Sequence, residues 1–154
     1  TGWRTDELLE AMNEELGTKK YDLVSVLIGV NNQYQNRDIE QFQQEFKVIL
    51  QKAIAQCKTG KKGVFVVSIP DYGVTPFAQH SNTKEISNEI AIYNEVCKNI
   101  SANVGVKYVY ITDISKEAEF NSGLIAGDGL HPSGEMYRRW VEKIYSEVRE
   151  LLNK

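Results

Sequence analysis

"YDLVSVLIGV", residues 21–30, is the stretch that decides the fold. It is β-branched and almost wholly apolar, the pattern of a strand buried on both faces. Two further runs share that character. "GVFVVSIP", 63–70, ends at Pro70, which cannot continue a strand ladder, and "VKYVYITD" spans 106–113. Between and around them the apolar residues change to a helical period. Residues 38–57 place Phe42, Phe46, Ile49, Leu50, Ala53 and Ile54 on one stripe. Residues 83–103 do so with Ile86, Ile90, Val96, Cys97 and Ile100. The chain closes on a helix whose stripe is Met136, Trp140, Ile144, Val148 and Leu151, with Tyr145 also assigned to the core face. Strands alternating with amphipathic helices predict a parallel sheet covered on both faces.

A helix opens the chain over 5–16, with Leu8, Leu9, Met12 and Leu16 apolar, Thr5 as the expected N-cap, and Asp6 and Glu7 in the first turn. No repeat, linker or low-complexity tract interrupts the 154 residues, so a single domain over 1–154 is expected. Three parallel strands with long apolar edges form a small sheet, and an exposed apolar edge invites aggregation. Further strands are therefore expected upstream, in keeping with a start at Thr1 rather than Met. That start says nothing about compartment.

Composition narrows the function. The formal charge is −3 with the two signs interspersed, and no basic stripe suggests nucleic acid as a partner. "LVSVLIGV" is far too short to span a bilayer. Cys57 and Cys97 read as buried thiols, and no short-spaced Cys or His pair predicts a metal site.

In open parallel sheets, ligands bind outside the carboxyl ends of the strands. The polar residues gathered there are Asn31, Asn32, Asp71, Asp113, Asp128 and His131. In "DGLHPSG", 128–134, Asp128 can hold one ring nitrogen of His131 and leave the other to act as a base. Pro132 restrains His131 to an extended conformation, and Ser133 suits the cap of the next helix. Alone, the stretch reads more readily as a helix-capping turn with an exposed histidine. Asn31 could donate to a developing oxyanion or simply end a strand. Gly2 could expose its N–H or merely turn the chain.

Taken together, "TGWRT" before a helix, "LIGVNNQY" at a strand end and "DGLHPSG" before the last helix resemble three of the four blocks of the SGNH (GDSL-type) hydrolases. Their order and spacing match over essentially the whole chain. The resemblance implies a three-layer α/β/α sandwich of flavodoxin-like type with its N-terminal strands missing from this chain. It implies a carboxylic ester hydrolase working through a serine acyl-enzyme on a small ester, without metal or organic cofactor. By position, His131 would be the base, Asp128 its orienter, and Gly2 and Asn31 the oxyanion-hole donors. Tyr34, Tyr72 and Phe77 follow strand ends and are candidate substrate contacts. The family pairs Asn with Asp where this chain has Asn31-Asn32. Its Gly-Asp-Ser block, which carries the nucleophile, has no counterpart and would precede Thr1, so the chain alone is expected to be inactive.

Internal serines are poor substitutes. Ser25 and Ser68 lie within strand runs and are expected to be buried, and Ser133 is expected to cap a helix. His80 sits in a polar loop and is expected to be solvent-exposed. A non-catalytic interaction module keeping this fold is the alternative reading. A flavin or nucleotide binder is disfavoured, because no glycine-rich phosphate loop follows any strand.

Overall fold

The computed structural model describes residues 2–151. In chain order these form α1 (Thr5–Glu15), β1 (Val24–Val26), α2 (Val30–Tyr34), α3 (Ile39–Gln56) and β2 (Val64–Val67). α4 (Thr83–Val104), β3 (Lys107–Val109), α5 (Thr112–Lys116) and α6 (Gly134–Val148) follow, with short 3₁₀ turns between them. The strands are parallel in the order β1-β2-β3, with Val24 facing Val64 and Phe65 facing Lys107.

Side chains alternate along a strand, so central β2 feeds two cores. Val64 and Val66 point to one face, where α3 supplies Phe42, Phe46, Ile49 and Leu50 and α4 supplies Ile90, Tyr93 and Cys97. Leu8, Leu9 and Met12 of α1 close that side. Phe65 and Val67 point to the other face, against Val109, Ile111, Ile114, Met136, Trp140 and Val148. Two crossovers of one hand that step in one direction must lie on the same face of a sheet. α3 and α4 do so. The expected helix–sheet–helix layering is present.

Several expectations need correction. The strands are shorter than their apolar runs: three, four and three residues. The ladder ends with Ser68 N donating to Val109 O at 2.9 Å; beyond it side-chain bonds take over, and Thr112 begins α5. β1 is not buried on both faces. Ser25 is exposed and Leu27 is 47% exposed, because on the second face the helices cover β2 and β3 but leave β1 open. Thr5 is not the N-cap of α1. Arg4 is, with its backbone N–H donating to Glu7 Oε2 at 2.8 Å, while the buried Thr5 hydroxyl bonds Asn32 and Glu45. Tyr145 is 61% exposed. It sits about 100° around the helix from Ile144 and so leaves the Met136–Trp140–Val148 seam. Cys57 and Cys97 are buried free thiols, and His80 is exposed, as expected.

Candidate active site

Gly29 turns β1 into α2. Its φ of +123° suits glycine, and a Cβ there would lie 2.7 Å from Ile69 Cδ1 and 2.9 Å from Phe42 Cε2. The chain therefore passes tightly over the core and delivers Asn31 and Asn32 at the strand end. The two asparagines part company. Asn32, 2% exposed, turns inward: its Oδ1 accepts from Thr5 N at 3.1 Å, and its Nδ2 donates to Thr5 Oγ1 at 2.6 Å. This amide-to-threonine clasp fixes the start of α1 beside β1. Asn31 faces outward, and its Nδ2 donates to Trp3 O at 3.2 Å, which leaves its second amide proton for another acceptor. Gly2, at φ +76°, adjoins it.

His131 arrives from a different loop. Asp128 Oδ1 accepts from Leu130 N and His131 N, both at 3.0 Å, around Gly129 at φ +75°. Its Oδ2 lies 2.6 Å from His131 Nδ1. The two backbone N–H groups, and then the His131 ring, hold the Asp128 carboxyl down at about 2. The carboxylate is thus ionised at any working pH and can only accept. It follows that Nδ1 carries the proton and that the neutral ring presents the Nε2 lone pair. Behind it, Ser133 Oγ donates to Gly123 O at 2.7 Å and accepts from Met136 N at 3.3 Å, capping α6 as expected.

These groups meet in one cleft of about 470 Å³. Gly2, Asn31 and His131 line it together with Tyr34, Tyr72 and Phe77, and Asp128 stands directly behind His131. Tyr34 packs edge-on to Tyr72 and tilted against Phe77, with centroids 6.2 Å apart in both pairs. Burial raises the Tyr72 phenol above its ordinary value, so it stays protonated. Val30, Pro70, Leu130 and Pro132 complete the wall; sequence reasoning missed them because isolated apolar loop residues carry no pattern. A second cavity of about 350 Å³ shares Gly2 and Asn31 and runs beside Leu27, Ile28 and Trp3.

The other polar residues at the strand ends serve elsewhere. Asp71 is buried and accepts from Gly73 N at 2.9 Å, and Asp113 pairs with Lys143 at 2.8 Å. Among the described residues, no serine, threonine or cysteine lines the cleft. Ser68 is buried as expected, but Ser25 is exposed on β1 and lies outside the lining. Among the described residues, no three His, Cys, Asp or Glu side chains gather as a metal site requires, and no helix is long and apolar enough to cross a membrane.

Solved structures with this architecture include an acetylxylan esterase from Geobacillus stearothermophilus. It is 17% identical with a TM-score of 0.74, over 96% of this chain and 68% of that one. An α/β hydrolase enzyme from the metagenome of Lake Arreo, Spain, is 15% identical with a TM-score of 0.71, over 100% of this chain and 71% of its own. A GDSL-like lipase from Bacteroides thetaiotaomicron is 16% identical with a TM-score of 0.71, over 97% and 73%. A search of curated protein sequences gave no match. The family model for GDSL-like lipases and acylhydrolases matches residues 1–139, most of the chain and every block of the cleft. The chain belongs to the GDSL-like lipase/acylhydrolase family.

Proposed function

We propose that this chain is one SGNH-hydrolase-like domain, N-terminally incomplete, that supplies the base and the oxyanion hole of a carboxylic ester hydrolase. The observation that carries the reading is the convergence of Gly2, Asn31 and His131 on one cleft, with an ionised Asp128 fixing the His131 tautomer. His131 Nε2 takes the proton of an attacking serine, and Asp128 stabilises the imidazolium that forms. Gly2 N–H and the free amide proton of Asn31 receive the negative oxygen of the tetrahedral intermediate.

The serine is proposed to lie on a segment preceding Thr1. Two features support this. Among the described residues the cleft offers no serine, threonine or cysteine, and the cavity beside Leu27, Ile28 and Asn31 leaves space at the open edge of β1 for incoming chain. The cleft wall is aromatic and apolar, and among the described residues His131, Tyr34 and Tyr72 are its titratable groups. A small acyl ester of a neutral alcohol suits it, and aromatic faces suit an acetylated sugar, the substrate class named for the Geobacillus esterase.

The chain extended through its native upstream sequence is expected to hydrolyse p-nitrophenyl acetate, and His131→Ala to abolish that activity. Full activity in the variant would sink the assignment. The 154-residue chain alone is expected to take no serine-directed fluorophosphonate label, and a labelled serine within it would place the nucleophile elsewhere.

A further inference from the structure

The Asp128 and His131 side chains are 51% and 67% exposed, so packing alone does not hold them. Their position depends on what holds the backbone of 128–131. One tie runs to the preceding turn: Ala126 N donates to His131 O at 2.8 Å, and Gly129 N donates to Ala126 O at 3.0 Å. The other comes from a distant part of the chain. Phe77 N donates to Gly129 O at 3.0 Å, at the middle of the loop. Phe77 is also a wall of the cleft.

The loop that carries Phe77 is itself tightly built. Asp71 Oδ1 accepts from Gly73 N at 2.9 Å, and Asp71 N donates to Ser115 Oγ at 2.9 Å. Thr75 Oγ1 donates to Tyr72 O at 2.6 Å, and Ala78 N donates to Thr75 O at 3.0 Å. Gly73 presses on α4 so closely that a Cβ would stand 2.7 Å from Ser87 Oγ. Pro76 opens the final turn with its φ preset and lies against Gly129.

We propose that the 71–78 loop is a brace for the Asp128–His131 pair, and that Phe77 has two separable roles: its ring walls the cleft and its main-chain N–H positions the pair. The inference rests on the hydrolase reading for its consequence, since a substrate pressing on Phe77 bears on the backbone that holds the base. The geometry of the brace stands without it.

Two measurements test it. In the 154-residue chain, amide hydrogen exchange followed by NMR is expected to show a protected Phe77. Asp128→Ala, which releases the 128–131 loop, should speed Phe77 exchange about tenfold or more while Val66 in β2 moves less than about twofold. Equal Phe77 exchange in the two proteins overturns the brace. In the N-terminally extended enzyme, Pro76→Gly keeps ring and N–H but loosens the turn. It should lower kcat about tenfold on p-nitrophenyl acetate with KM shifting less than about twofold. Phe77→Ala keeps the N–H and loses the ring, and should raise KM more than it lowers kcat. A kcat indifferent to Pro76→Gly also overturns the brace. Absence of hydrolysis in the extended parent would instead overturn the hydrolase reading, and the exchange experiment would still decide the brace.

Discussion

Two polar constellations stand at the carboxyl ends of the strands, and they differ in what they leave unused. One is buried. Ser68 Oγ accepts from Ile111 N at 2.8 Å and from Thr112 N at 3.1 Å. Thr112 Oγ1 gives its single proton to Ile69 O at 2.8 Å, so the 2.7 Å contact between the hydroxyls must be donated by Ser68. Asn94 spans both backbone groups of Ile69, at 2.7 and 2.9 Å, and accepts from Tyr108 at 3.2 Å. Every proton and the main lone pairs are committed, which is what a buried polar group requires. The other constellation, Asp128–His131, is open. Its carboxylate accepts three hydrogen bonds, and His131, whose Nε2 keeps its lone pair, lines a cleft. A satisfied network makes structure; a network complete but for one outward lone pair can do chemistry.

The comparison breaks most visibly at Asp128. Asp128→Asn keeps an acceptor for the Leu130 and His131 N–H groups but turns an amide N–H toward His131 Nδ1. The ring must then accept at Nδ1 and carry its proton on Nε2, where it cannot act as a base. A fall in kcat of about 10³–10⁴-fold is expected in the extended enzyme, with the urea midpoint nearly unmoved because the loop is exposed. Loss of stability in step with activity would mean that the pair is structural after all. The opposite signature belongs to the buried set. Asn94→Leu strands the Ile69 N–H in the core and leaves the Tyr108 hydroxyl only the residue-94 carbonyl at 3.3 Å, and should cost about 2–3 kcal/mol in urea denaturation. A cost near zero would show that water or a shift of α4 satisfies them.

pH should separate the two regions as well. Burial pushes the Tyr108 phenol well above its ordinary value of 10.0, and pushes Tyr93 to about 12. The unfolded chain ionises these groups near 10 while the folded chain keeps them protonated. Their contribution is therefore complete below about pH 10 and is lost as pH rises toward the folded values. Urea midpoints measured from pH 8 to 11 should fall on the alkaline side. Tyr108→Phe should flatten part of that fall, and an unchanged slope would remove Tyr108 as its cause.

Much of this was legible in the sequence, and the exceptions share a cause. Apolar periodicity located all three strands and the long helices, and "DGLHPSG" announced a histidine with its acceptor three residues before it. Periodicity reports what a side chain prefers, not what covers it. Ser25 and Leu27 therefore looked like strand interior although no helix lies over them. Thr5 looked like a cap because its type suits one, yet Asn32 and Glu45 engage its hydroxyl from elsewhere in the chain. The bond from Phe77 N to Gly129 O joins residues with no pattern in common, and only the folded backbone brings them together.

The smallest expected effect lies on the acid side and concerns the open pair alone. Leu130 N, His131 N and the His131 ring hold Asp128 at about 2, below its ordinary 3.8. A carboxyl lowered by folding contributes stability above its unfolded value and loses it as pH falls through the folded one, so the window runs from about 4 down to about 2. Asp128 is open to water, so solvent screens the interaction and the global urea midpoint should barely register it. The local signal should be clear. Carboxyl carbon shifts followed by NMR should titrate Asp128 with a midpoint at about 2, and the amide shifts of Leu130 and His131 should move with the same midpoint. If those amides instead titrate near 4, the carboxylate does not hold the loop, and the fixed tautomer on which the open lone pair depends goes with it.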